Sequence, residues 1–450
     1  MDPYARVRRG ADRGQTRSLA TRWNLAKKEE RRDNIPRIGN PWLYGLIPLF
    51  ISCALCLHAS LADPPAGQPS STVTLQDPKV ALAELGNGIR EITITPAGDG
   101  QPIQYRLDLS KDFLPATKKD DPTVARWERY RLGAFVCYNT NQFTGKEWCS
   151  SAAPDVHNPS QLDVAGWAAA FRKAGMKYAV LTVRHTSGFL LWDSPTTFFH
   201  VGNSGNKTNI VKAFVEECRK QGIAPGFYYC MWGGPASMRK TRKQDNAAAV
   251  TLAQLYELAT RFGPIEHFWI DMMNWAPKEL PAQKVYNLLK TLQPGTFVLM
   301  NQHVQDGRKI AYFPTDGLNG EVCLPPNEGH NPWREVNGTK YYLPFEFEPV
   351  SQTRTKDNLC HTPMGRGVWF TYGAGMSFTP STPFPAEPLA KWIQDAWSRG
   401  ASNVLLSCAP DHTGRLRPED AKQLEDLGKL LSESQAMSQR AIRQERSSRP

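Results

Sequence analysis

The chain has 450 residues, of which 40% are hydrophobic, 22% charged and 10% aromatic. That balance excludes a disordered or fibrous protein, and the length fits one (β/α)8 barrel with extensions as readily as several average domains. The formal charge of +11 sits at the ends: residues 1–40 carry eleven Lys/Arg against five Asp/Glu, and residues 434–450 carry four Arg against one Glu, leaving +2 on 41–433 and no basis for a nucleic-acid groove.

Residues 42–57, WLYGLIPLFISCALCL, are uncharged and follow the basic segment. Ser60 and Ala62 then stand at the −3 and −1 positions of a cut before Asp63. This is the layout of a secretory signal peptide, and the run is shorter than the roughly 20 residues of a membrane span. The expected location is secreted or periplasmic. The alternative is that 42–57 stays uncleaved as an anchor with its basic arm inside, the one case in which a membrane is a partner. Seven cysteines lie beyond the cut, without a CxxC or a zinc spacing. They read as mostly buried small apolar residues, with room for a disulfide or two.

Residues 63–126 begin with the Pro/Ser-rich DPPAGQPSST and continue with weak alternation, as in EITITPAG and IQYRLDLS. A linker and a small β-rich segment are expected there. From 127 to 433, apolar runs of strand length alternate with amphipathic runs of helical length. The strands are placed at 131–139, 178–185, 224–231, 267–272, 297–302, 343–347, 368–372 and 403–410. The helices are placed at 163–175, 209–222, 249–263, 282–292, 388–400 and 419–433. Several end in Lys/Arg followed by Gly, a helix stop. Residues 303–342, rich in Gly, Pro and Asn, read as a rim loop. The pattern predicts a (β/α)8, TIM-like barrel over 127–433, with a basic tail at 434–450.

Function in such a barrel sits where the strands end. Asp271 closes the apolar strand FWIDM; a carboxylate there must face the pocket or meet an Arg, because burying it unpaired costs several kcal/mol. Glu346 and Glu348 end another strand, on one side of it. Carboxyls facing each other across a pocket are what glycoside hydrolysis requires, one attacking the anomeric carbon and one protonating the leaving oxygen. Rim ion pairs with Arg184 or Arg354 are the other use of these acids. No HExxH, phosphate loop or GxSxG elbow is present, and neither metal nor cofactor is expected.

Five blocks carry a resemblance: FVCYNTNQFTGKEW (135–148), GMKYAVLTVRHTSGFLLWDS (175–194), FWIDM (268–272), PFEFE (344–348) and NVLLSCAPDHTGRL (403–416). In this order they resemble the α-L-fucosidases of glycoside hydrolase family 29. The NTNQFTGKEW run and the Pro-x-Glu resemble the branch selective for branched fucosides. The resemblance implies a retaining exo-glycosidase acting on terminal α-L-fucosyl, or related deoxy- or galacto-configured, residues of a glycan or oligosaccharide. It implies Asp271 as nucleophile and Glu346 as acid/base, with Glu348 as fallback. Glu147 and Trp148 match the pair that holds the sugar, His185 the first of two paired histidines, and Tyr229 and Trp269 pocket aromatics. Cys137 and Thr186 stand where the family has imidazoles, and Ser187 where it has a carboxylate. The expected pocket is therefore remodelled on one side.

Two other readings remain. One is a catalytically weak or inactive barrel that binds glycans. The other uses Cys137 and His185, which end adjacent strands, as a thiolate–imidazole nucleophile or as two metal ligands.

Overall fold

The computed structural model describes residues 77–146, 153–233, 246–354, 360–372 and 379–447. The leader 1–62, with its expected signal or anchor run, lies outside them. Val73–Pro450 form one compact unit. It opens with an antiparallel sheet of β1 (Lys79–Gly86), β2 (Ile89–Thr95) and β3 (Ile103–Asp108). Asn87 and Gly88 join β1 to β2 with φ of 51° and 76°. A two-residue hairpin of right-twisted strands needs both left-handed, which Asn-Gly adopts most cheaply. Alternation along β2 buries Ile92 and Ile94 completely. Tyr105 of β3 stacks on Tyr256, with centroids 4.7 Å apart, and its hydroxyl donates to Glu257 at 3.3 Å. These contacts fasten the small sheet to the outside of the barrel.

Helix α1 (Pro122–Glu128) follows, with Pro122 in its first turn and the Asp121 carboxylate accepting from the amides of Thr123 and Val124. It carries Trp127 under the barrel, stacked on Phe297 at 4.0 Å and edge-on to His267.

The barrel strands are β4 (Leu132–Val136), β5 (Tyr178–Arg184), β6 (Ala224–Cys230), β7 (His267–Asp271), β8 (Phe297–Met300), β9 (Leu318–Glu321), β12 (Phe345–Glu348) and β13 (Ala401–Ser407). A separate hairpin, β10 (Trp333–Val336) and β11 (Thr339–Tyr342), lies between β9 and β12. The eight strands form one parallel sheet in the order β8-β7-β6-β5-β4-β13-β12-β9, so first and last meet as β4 pairs with β13. Helices α2 (Val164–Lys173), α3 (Ile210–Lys220), α4 (Ala247–Arg261), α5 (Ala282–Leu292), α6 (Ala386–Ser398) and α7 (Pro418–Ser447) cover it. A (β/α)8 architecture results, as the alternation of the sequence predicts. Helix α7 continues through the segment read as a basic tail.

The seam between β8 and β9 has no regular ladder: one backbone bond, from the Asp316 amide to the Val298 carbonyl at 2.8 Å, is joined by side chains. The Asp316 carboxylate accepts from the Val298 amide at 2.7 Å, Thr315 Oγ1 from the Met300 amide at 3.0 Å, and Asn319 Oδ1 from the Gln302 amide at 2.7 Å. Here the sequence expectation needs correction. The sixth barrel strand is the four-residue LNGE of β9, inside the stretch read as a rim loop. The 343–347 run is the seventh strand, and VWFTY (368–372) adds only an isolated bridge from Val368 to Gln352. In β9 a Gly and two polar residues replace the apolar run that marks a buried strand, because its side chains close the seam and serve the pocket.

Candidate active site

Inward-pointing residues alternate along each strand, and Phe135, Cys137, Tyr178, Val180, Tyr228, Trp269, Phe297, Leu299 and Leu405 pack into one interior cluster. Trp269 stacks on Tyr228 with centroids 5.3 Å apart. Asp271 stands above this layer at the end of β7, 5% exposed. Its Oδ2 accepts from the Tyr228 hydroxyl at 2.6 Å. Its Oδ1 accepts from Asn301 Nδ2 at 2.6 Å and from the Met272 amide at 2.7 Å. His303 Nδ1 lies 3.9 Å from the same oxygen. The acid that closes FWIDM thus turns inward without an Arg, its charge spread over neutral donors.

A second carboxyl meets it there. Glu321, half-buried at the end of β9, accepts from the same Asn301 Nδ2 at 3.1 Å. Sharing one nitrogen at 2.6 and 3.1 Å keeps the two carboxylate oxygens within about 6 Å, compatible with the roughly 5–5.5 Å between the carboxyls of a retaining pair. Burial, and next the negative charge of Asp271, push the Glu321 carboxyl up to about 8. At neutral pH it keeps its proton beside a nucleophile-type carboxylate, the pattern that separates acid from base in one site.

Glu346 and Glu348 are elsewhere. Both are fully buried. Glu346 accepts from the Tyr178 hydroxyl at 2.6 Å and from Trp269 Nε1 at 3.1 Å. His267 lies 3.9 Å away. Tyr178 and His267 are the first residues of their strands, so Glu346 occupies the layer nearest the barrel floor, away from the open face. Burial pushes its carboxyl up to about 8, as it must with only neutral donors around it. Glu348, one step higher, accepts from Asn319 Nδ2 at 3.0 Å, and burial, then the neighbouring Glu346, holds it well above the carboxylate range.

The other expected site residues divide. Trp269 is a buried interior residue bonded to Glu346. Tyr229 is corrected: alternation turns it out of the barrel, where its hydroxyl donates to Gln254 of α4 at 2.6 Å, and Tyr228 is the aromatic that meets Asp271. His185 stacks over Tyr228 at 5.7 Å and lies 3.2 Å from Thr186 Oγ1. Burial and then Arg184 lower its imidazole to about 3, too weak a base to draw a proton from a thiol at neutral pH. Cys137 and Thr186 are no more than 2% exposed, and the Cys137 sulfur accepts from Ser407 Oγ at 4.0 Å. Ser187 bonds Asn139 and the Phe189 amide, a local structural use. Glu147 and Trp148 lie outside the described residues. Among the described residues no group of three His, Cys, Asp or Glu could hold a metal, and six cysteines carry no disulfide.

Backbone strain marks the same place. Met272, His303 and Val322 have φ of 57°, 61° and 49°. They follow within two residues of Asp271, Asn301 and Glu321, which stand at or just past the ends of β7, β8 and β9. Left-handed non-glycine residues cost about 1–3 kcal/mol each and gather at functional sites. Met272 combines that conformation with an amide that donates to Asp271.

A (β/α)8 barrel with two carboxyls at its strand ends belongs to a class of arrangements that glycoside hydrolysis can use. Comparison with known proteins narrows the class. The Alpha-L-fucosidase family model matches residues 114–435, and the chain belongs to that family. Alpha-L-fucosidase 1 of Arabidopsis thaliana is 24% identical over 313 residues, covering 68% of this chain and 58% of its own. Tissue alpha-L-fucosidase of Homo sapiens is 30% identical over 277 residues, covering 59% and 52%. A protein of Oryza sativa subsp. japonica that carries an alpha-L-fucosidase name is 33% identical over 329 residues, covering 70% and 59%. The chain thus spans rather more than half the length of these relatives. The crystal structure of an alpha-L-fucosidase GH29 from Bacteroides thetaiotaomicron shares the fold, with a TM-score of 0.55 at 22% identity over 72% of this chain and 76% of that one.

Proposed function

We propose that the protein is a retaining exo-glycosidase that removes terminal α-L-fucosyl or closely related residues from glycans, with Asp271 as nucleophile and Glu321, in place of Glu346, as acid/base. The carrying observation is that Asn301 Nδ2 bonds both Asp271 and Glu321. In the first half-reaction Asp271 attacks the anomeric carbon, the bond to the aglycone oxygen breaks, and the Glu321 proton moves to that oxygen. In the second, water attacks the glycosyl-enzyme, Glu321 takes its proton, and the sugar leaves with Asp271 restored as carboxylate. Glu346 supports the aromatic floor from below. The basic arm and the 42–57 run support export from the cytoplasm, as a signal or as an anchor.

The test follows from what a general acid does. A good leaving group departs without a proton and a poor one does not. Glu321→Gln should slow hydrolysis of natural fucosides by roughly 10²–10⁴-fold and spare activated aryl fucosides. The parent should lose kcat/KM as pH rises through about 8, where Glu321 gives up its proton, and the variant should lack that limb. If Glu346→Gln shows this leaving-group dependence and Glu321→Gln does not, the roles must be exchanged.

A further inference from the structure

We infer that Asn301 is a positioning residue that serves both carboxyls in turn, its amide aimed by Asn319 and the His303 backbone. The inference rests on the Asp271–Glu321 reading and deepens it. Asn301 directly follows β8, which lies between the strands of the two acids. Its Oδ1 accepts from the His303 backbone amide at 2.8 Å and from Asn319 Nδ2 at 2.8 Å. A backbone N–H can only donate, so the carbonyl end must face His303 and the NH2 end must face the carboxyls. Asn319 is held in turn by Glu348, which accepts from the same Nδ2 at 3.0 Å. The NH2 group meets Asp271 Oδ1 at 2.6 Å, Glu321 Oε1 at 3.1 Å and His303 Nδ1 at 3.3 Å.

An amide has two N–H bonds, and the two shorter contacts go to the two acids. Before reaction the negative charge is on Asp271. In the glycosyl-enzyme Asp271 is an ester and the charge is on Glu321. One fixed NH2 group therefore offers a donor to whichever carboxyl is ionised, without rearrangement between half-reactions. The same geometry fixes the separation of the two acids.

Loss of these donors disfavours the ionised form of both acids. The pH profile of kcat/KM on an aryl α-L-fucoside reads this directly. Its acidic limb requires ionised Asp271 and its basic limb protonated Glu321. Among the described residues, the other titratable groups facing the pair are Tyr228 and Cys230 of β6, His303 and Tyr312 beyond β8, and Glu348 of β12. All of them stay in place in the variant. Asn301→Ala should lower kcat roughly 10²-fold and move both limbs to higher pH by roughly one unit. Asn301→Asp, which adds a like charge, should move them further. Asn319→Ala frees the amide to turn and should move both limbs the same way by less; it carries the test if the Asn301 variants do not fold. Activity lost with both limbs unmoved is the mark of a merely structural residue and overturns the inference alone. A parent that cleaves no fucoside overturns the proposed function and the inference with it.

Discussion

At the residue scale, the site is built from backbone placed in costly conformations. Met272 gives the plainest prediction. It has a left-handed φ of 57°, directly after a peptide whose amide donates to Asp271 Oδ1 at 2.7 Å. Glycine adopts that φ freely and keeps the amide, whereas a β-branched residue resists it. Met272→Gly should retain activity within a few-fold and change stability by less than about 1 kcal/mol, relief of strain offsetting unfolded-state entropy. Met272→Ile should lower stability by about 1–2 kcal/mol and lower kcat, because strain at the residue next to Asp271 disturbs the chain that leaves β7. Urea unfolding and aryl-fucoside kinetics check both. Equal behaviour of the two variants would show that the backbone turn has no part in the site. Glu321 had no comparable sequence signal. It closes a four-residue strand with a Gly and an Asn inside, in a stretch whose composition reads as loop. Only the need for a strand between 297–302 and 343–347 could have drawn attention to it. At Tyr229 the structure differs from the sequence expectation for a simpler reason: two adjacent tyrosines stand near the end of β6, and which one faces inward depends on the register.

At the element scale, the seam between β8 and β9 distinguishes this barrel from a fully laddered one. Asp316 is its buried centre, 3% exposed. It accepts from the Val298 amide at 2.7 Å and from the Tyr286 hydroxyl at 2.6 Å, and Lys290 Nζ lies 2.5 Å away. Removing the carboxylate leaves the buried Lys290 ammonium without its ion-pair partner, with only the Thr296 carbonyl at 2.7 Å to accept from it, and leaves a strand amide unpaired. Asp316→Ala should therefore cost about 3–5 kcal/mol, seen as a fall in the urea midpoint. A loss under about 1 kcal/mol would mean that the seam is held by other contacts. The same elements show why the helices were legible and the sixth strand was not. Helix α3 buries one stripe, so its period is visible in IVKAFVEECRK. Strand β9 is paired to β12 alone and meets β8 through side chains, so it carries Asn319 and Glu321 where a regular strand carries Val or Ile.

At the scale of the whole molecule, the alternation of strands and helices was enough for the barrel, because each strand buried on both faces must be apolar and each covering helix amphipathic. The floor was not legible: nothing local in the sequence says that Trp127 stacks under Phe297, or that Glu346 stands beside Tyr178 and His267. Alternation put Glu346 and Glu348 on one side of a strand but said nothing of depth, and depth separates an acid at the mouth from one in the floor. The most direct test of the account is to trap the covalent intermediate. A 2-deoxy-2-fluoro-fucosyl fluoride slows both half-reactions, and its good leaving group keeps formation of the ester faster than its breakdown. Peptide mass spectrometry of the inactivated protein should find the fluorosugar on Asp271, with labelling preserved in Glu321→Gln because that leaving group needs no proton. A label on any other residue, or fucoside cleavage by a protein that never labels, would contradict the assignment of Asp271 and Glu321 as the working pair.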